Sequence, residues 1–223
     1  MKCMETLIWY IENIVIQGLQ MLPCMMVALL LWSMVRPVRL RSLARKGLFS
    51  PKRREVTLML YVLFCAGLCA LTLFPYGFWG DCMRMLWEPE FEMVLDLPGW
   101  NEGLRILRTL PESITPFREI LRVTQGGPWL WFVLWGNIGM FSPIGFGLGL
   151  LWRGRRWYHA LLLGVIFSFG IEFIQIFVGR VSDVDDIMLN TAGTIIGFAL
   201  YFIVSKVISL DWDKFRCQIK EEA

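Results

Sequence analysis

The chain has 223 residues, of which 56% are hydrophobic and 18% charged, against roughly 45–50% and about 25% in a soluble domain. That apolar excess excludes disorder, and a net charge of +3 supplies no basic field for nucleic acid. The excess is clustered, which marks a membrane protein.

A helix crosses a hydrocarbon core with roughly 20 mostly apolar residues. Five stretches meet that length: residues 14–34, 56–74, 129–152, 159–178 and 187–207. The first carries Gln17, Gln20 and Pro23, but it is too long for a removable leader and no small-residue cleavage site follows it. Residues 35–55 form a basic loop, with Arg36, Arg39, Arg41, Arg45, Lys46, Lys52, Arg53 and Arg54 against Glu55 alone. Besides directing topology, this loop is suited to touch anionic lipid. The tight connection after the third span holds Arg153, Arg155 and Arg156 and no acid. Excess Lys and Arg mark the cytoplasmic side, so five spans place the N-terminus outside and the C-terminus inside. The chain is therefore expected to divide into a first helix with its basic cytoplasmic loop (1–55), a four-helix domain (56–207) and a cytoplasmic tail (208–223).

The outer loop, 75–128, carries eight acids and five arginines. Thr115-Pro116 reads as an N-cap with proline at the first helical position, ahead of Phe117, Ile120, Leu121 and Val123. A second short run opens at Asn101-Glu102, with Leu104, Ile106, Leu107 and Leu110 among Arg105 and Arg108. With Trp79, Trp87 and Trp100 these segments suggest a partly helical cap in the headgroup zone. Of the cysteines only Cys3 and Cys82 are placed to meet outside, and no pair has zinc-ligand spacing. His159 sits at the cytoplasmic end of its span and reads as an interfacial residue.

The last three spans are of another kind. Asn137, Glu172, Gln175, Asn190 and Thr191 lie within them, next to Arg180, Asp183, Asp185 and Asp186 in the turn before the last span. An ionisable side chain at membrane depth faces a bundle interior or a wet cavity, because exposure to lipid is costly. At a rise of about 1.5 Å per residue, Asn137 and Glu172 lie about 12 Å and 9 Å below the outer ends of their spans. Glu172 and Gln175 share one stripe of their helix, and Asp186, Asn190, Gly193 and Gly197 share another. Gly193-x-x-x-Gly197 permits close approach of a second backbone. Asn137, Phe141 and Gly145 share a face, and Pro143 is expected to bend that helix and free a carbonyl. Each amide alone would serve as interhelical hydrogen-bond glue. A carboxylate with three more beside it exceeds what glue requires and points to a site.

The run Ile171-Glu172-x-x-Gln175…Arg180-x-x-Asp183-x-x-Asp186-x-x-x-Asn190-Thr191-x-Gly193-x-x-x-Gly197, preceded by Asn137-Ile138-x-x-Phe141-x-Pro143-x-Gly145-Phe146, resembles the signature of the VanZ-like family. Weaker similarities are Leu71-Thr72-Leu73-Phe74-Pro75 and Ile114-Thr115-Pro116-Phe117. Two departures stand out: Ser142 replaces the usual aliphatic residue, and Gly147-Leu148-Gly149 stands where a second proline is common. The resemblance implies a small multi-pass protein of the bacterial cytoplasmic membrane. The family's name-giving member is associated with low-level resistance to teicoplanin-type glycopeptides.

Three functions are compatible with these residues. The first is an outer-leaflet pocket that binds a lipid-linked cell-wall intermediate or a lipoglycopeptide, with glycines along the tail path and Arg180 and the amides at the head group. The second is a membrane enzyme with Glu172 as acid or base and a divalent cation held by Asp183, Asp185 and Asp186. The third, a proton-linked carrier, lacks polar groups in the inner halves of the spans.

Overall fold

The computed structural model describes residues 2–74, 78–88, 116–117, 121, 128–177 and 184–219. Within them the elements are α1 (Lys2–Arg45), β1 (Leu48–Phe49), α2 (Lys52–Leu73), α3 (Phe78–Trp87), α4 (Pro128–Leu151), α5 (Trp157–Phe177), α6 (Val184–Val207), a 3₁₀ turn (Trp212–Phe215) and β2 (Gln218–Ile219). Five helices are long and apolar enough to cross a membrane: α1 from Gly18, α2, α4 from Leu134, α5 and α6. The molecule is an all-helical, multi-pass membrane protein with one two-residue antiparallel ladder joining β1 to β2.

Residues 35–55, expected as a loop, are mostly helix. α1 continues through Arg45 with Pro23 and Pro37 inside it, and only residues 46–51 separate it from α2. The extension is held by the one acid of the segment. Arg36 Nε lies 3.3 Å from Glu55 Oε2, Arg39 and the Ser50 hydroxyl also bond that carboxylate, and Arg54 Nη1 donates to Ser50 Oγ at 3.0 Å. Arg54 and Glu55 are both buried, a state that charged side chains reach only when paired and hydrogen-bonded. α1 otherwise leans on α2 and presents a long apolar face outward.

The two cationic segments and the tail gather at one end of the bundle. β2 ties the tail to residues 48–49, and Arg153 pairs with Asp213 at 2.7 Å. Arg216 Nη2 donates to the Gly149 carbonyl at 3.3 Å, meeting one of the last-turn acceptors that α4 leaves without a helical partner.

α6 runs through the centre, packed most extensively on α4 and next on α5. The α4–α6 contact is backbone against backbone. A Cβ on Gly193 would lie 2.3 Å from the Ile138 carbonyl oxygen, and one on Gly197 only 1.7 Å from that of Ser142. In return, a Cβ on Gly145 would lie 1.7 Å from the Thr194 carbonyl oxygen. Gly193 and Gly197 are thus filled by α4 itself. They join the two helices, and Gly197 also borders an apolar cavity of about 460 Å³ lined by Tyr61, Phe64, Pro143, Phe146 and Leu200.

Both departures from the family pattern have a physical role. Pro143 lacks the N–H that would bond the Gly139 carbonyl, and the Ser142 hydroxyl donates to that carbonyl at 2.9 Å. Gly147 and Gly149 are sockets for the rings of Tyr61 and Tyr201, whose atoms would lie 2.4 Å from an added Cβ.

Gly145→Leu or Gly197→Leu is expected to cost at least about 3 kcal/mol, since no rotamer clears a facing backbone. Ser142→Ala should cost only about 1 kcal/mol, the worth of one hydrogen bond. Thermal unfolding in detergent should rank the three variants accordingly.

Candidate functional site

The polar residues sit at the end of the bundle away from the cationic segments, because each helix enters that end at its appropriate terminus. α2 ends there at Leu73 and α5 at Phe177, while α6 begins there at Val184. Asp185 and Asp186, expected in a turn, belong to the first turn of α6. Carboxylates suit that position, where unpaired N–H groups make the helix end positive.

Hydrogen bonds tie five helices together at this end. Asn137 Nδ2 of α4 donates to Asp186 Oδ1 of α6 at 2.7 Å. Asn190 Nδ2 donates to Ser168 Oγ of α5 at 2.9 Å, and the Thr194 hydroxyl to the Asn190 carbonyl at 3.0 Å. Gly164 allows this α5–α6 approach, its missing Cβ standing 3.0 Å from Thr191 Cα. Gln175 Nε2 of α5 donates to the Thr72 carbonyl of α2 at 2.8 Å. Gln20 Nε2 of α1 reaches the Phe74 carbonyl at 3.4 Å. The two glutamines therefore serve the acceptors that the last turn of α2 cannot satisfy internally.

A cavity of about 220 Å³ opens between these helices. Asn137, Glu172, Gln175, Asp186 and Asn190 all line it, with Phe141 among the apolar residues of its wall. Glu172 is only 3% exposed. Below lie the buried side chains of Leu68, Phe141, Ile144 and Ile171, and then those of Leu148, Ala160 and Phe198. Arg180 and Asp183, the other two expected members of the set, lie outside the described residues, as do Asn101–Leu110, Thr115 and the Cys3 side chain.

Sequence reasoning missed two partners and the role of a third residue, Asp185. Ser168 and the Thr72 carbonyl gave no chemical signal of their own, although Thr72 stands in one of the weaker family-like segments. Asp185 is fully buried, and its Oδ1 accepts the Phe117 N–H at 2.5 Å, pinning the outer segment to α6. Phe117 has φ 67°, a left-handed conformation costly for a bulky residue and tolerated where contacts over-determine it. Adjacent residues on a helix point about 100° apart, and among the described residues no group of three or more His, Cys, Asp or Glu is placed to hold a metal ion.

A family model described as VanZ/LLP1 matches residues 58–205. The chain belongs to the VanZ/LLP1 family. Comparison with curated proteins and with solved structures gives no match. The region this VanZ/LLP1 protein shares with its family begins in α2 and ends in α6, so it takes in every helix that lines the cavity. α1 and the tail fall outside it.

Asp185→Ala should free the segment at Pro116–Phe117. A hydrogen bond to a charged group is worth about 1.5–3 kcal/mol, so limited proteolysis there should quicken by about tenfold or more. Asp185→Asn keeps an acceptor and should stay close to wild type.

Proposed function

We propose that this VanZ/LLP1 protein resides in a bacterial cytoplasmic membrane with its N-terminus outside, its C-terminus inside and the polar cavity at the extracellular face. The cationic segments at the opposite end support that orientation. In this reading the cavity binds the head group of a lipid-linked cell-wall intermediate or of a lipoglycopeptide, and so contributes to resistance against teicoplanin-type glycopeptides. The observation that carries the proposal is the convergence of Glu172, Gln175, Asn137, Asp186 and Asn190 from three helices on one small cavity. An intramembrane carboxylate is a functional candidate on energetic grounds alone, and here it has polar company.

Binding is favoured over the two other readings. The metal-assisted enzyme needs its aspartates to converge, and Asp185 and Asp186 engage separate partners. The carrier needs a path onward, and the buried residues beneath the cavity are apolar around Leu148, Ala160 and Phe198.

Expression of the wild-type protein should raise the teicoplanin concentration that a sensitive host survives, and Glu172→Gln should abolish the gain at equal membrane abundance. Lipid-resolved mass spectrometry of the purified proteins should show an amphiphile with the wild type that is depleted in Glu172→Gln. Full protection by the variant would remove the site from the mechanism.

A further inference from the structure

The end of the bundle that carries the cations has a cavity of its own. It opens between α1 and α2 with a volume of about 680 Å³, well within the range of ligand sites. On α1 its wall follows one stripe from Arg36 through Trp32 to Leu29, and on α2 one from Lys52 through Val56 to Met59. Leu29 lies seven residues from Arg36 and Met59 seven from Lys52, so on both helices the apolar lining reaches about 10 Å further from the charged end. The wall is cationic at one end and apolar at the other, which is the pattern of an amphiphile.

Charge around this cavity is one-sided. Glu55 lines it too, but that carboxylate is already met by Arg36, Arg39 and Ser50, with Arg54 Nη1 at 3.8 Å. Arg36 uses only Nε toward it, and its half-exposed side chain keeps Nη1 and Nη2 without a partner among the described residues. Lys52 is exposed and pairs with no acid among the described residues. Residues 36–54 hold eight cations, more than Glu55 and the four acids of residues 208–223 offset together.

We infer that this cavity binds one anionic phospholipid, with the phosphodiester between Arg36 and Lys52 and an acyl chain along Leu29 and Met59. An arginine offers a phosphate two parallel N–H groups, and a lysine adds a compact charge on a flexible stem. Basic pockets between membrane helices suit such head groups. A zwitterionic head group brings its own cation to the same place and is held less tightly. Free phosphate would meet the cations and make no use of the apolar wall, whereas a lipid meets both. Seated there, the lipid bridges α1 and α2. Of the lining residues named, only Met59 falls within the region that matches the family. The site is therefore separate from the polar cavity and independent of its reading as a ligand site.

The test uses the full-length protein in detergent, titrated with dioleoyl phosphatidylglycerol or dioleoyl phosphatidylcholine, with bound lipid counted by native mass spectrometry. One phosphatidylglycerol is expected to bind at least about tenfold more tightly than phosphatidylcholine. Arg36→Gln with Lys52→Gln is expected to remove that preference. Arg41→Gln with Arg45→Gln takes away the same charge from exposed positions outside the cavity, and should keep it. Since Arg36 also holds Glu55, Lys52→Gln alone serves as the variant that breaks no ion pair among the described residues, with an expected loss of about fivefold. Equal loss in the Arg41 and Arg45 pair overturns the site in favour of a diffuse surface field. Equal binding of the two lipids by the wild type overturns it as well, as does displacement of phosphatidylglycerol by equimolar inorganic phosphate.

Discussion

The close contact of α4 with α6 is the constraint on which the polar end depends. The two helices run in the same direction, with Ile138 opposite Gly193 and Ser142 opposite Gly197, and with Gly145 opposite Thr194. In lipid, helices gain little from hiding apolar surface from one another, so association relies on packing and hydrogen bonds. Glycine at these positions brings two backbones to a separation that no side chain would permit. One result is that Asn137 reaches Asp186 directly.

The same end of the bundle resolves another demand of the membrane, the unpaired groups at helix termini. α2 ends at Leu73, and its last carbonyls have no acceptor role left inside the helix. Gln175 and Gln20 supply the missing donors from neighbouring helices. Capping of this kind has a chemical consequence. An amide that turns its NH₂ toward one acceptor turns its oxygen elsewhere, and for Gln175 and Asn190 that oxygen, in the wall of a cavity, has no hydrogen-bond partner among the described residues. Structural satisfaction and the character of the site are two ends of the same side chains.

Much of this was legible in the residues. The last three spans closely match the helices observed, and their polar residues share faces because helical periodicity fixes which positions are neighbours. The gathering of Asn137, Glu172, Gln175, Asp186 and Asn190 was foreshadowed by their similar depths. Less legible was anything that depends on what faces a helix. The spacing of the α6 glycines read as a packing seam, but that α4 is the helix filling it depends on the tertiary contact. Residues 35–55 read as a loop because their charge is conspicuous, whereas Glu55 collects Arg36, Arg39 and Arg54 and keeps α1 helical through Arg45. Asp185 gave no sign of differing from Asp186, since its role is to hold Phe117, about seventy residues away in sequence.

The sequence by itself determined a membrane protein, its five apolar helices, their family and the depth at which polar groups are buried. These follow from hydrophobic length, local periodicity and a specific order of residues, all of which are properties of short segments. Tertiary structure decided which amide hydrogen goes to which acceptor, which glycines vanish into a helix contact and which oxygens remain to face the cavity. Those outcomes depend on partners from distant parts of the chain, and a hydrogen bond or a clash exists only once both partners are in place.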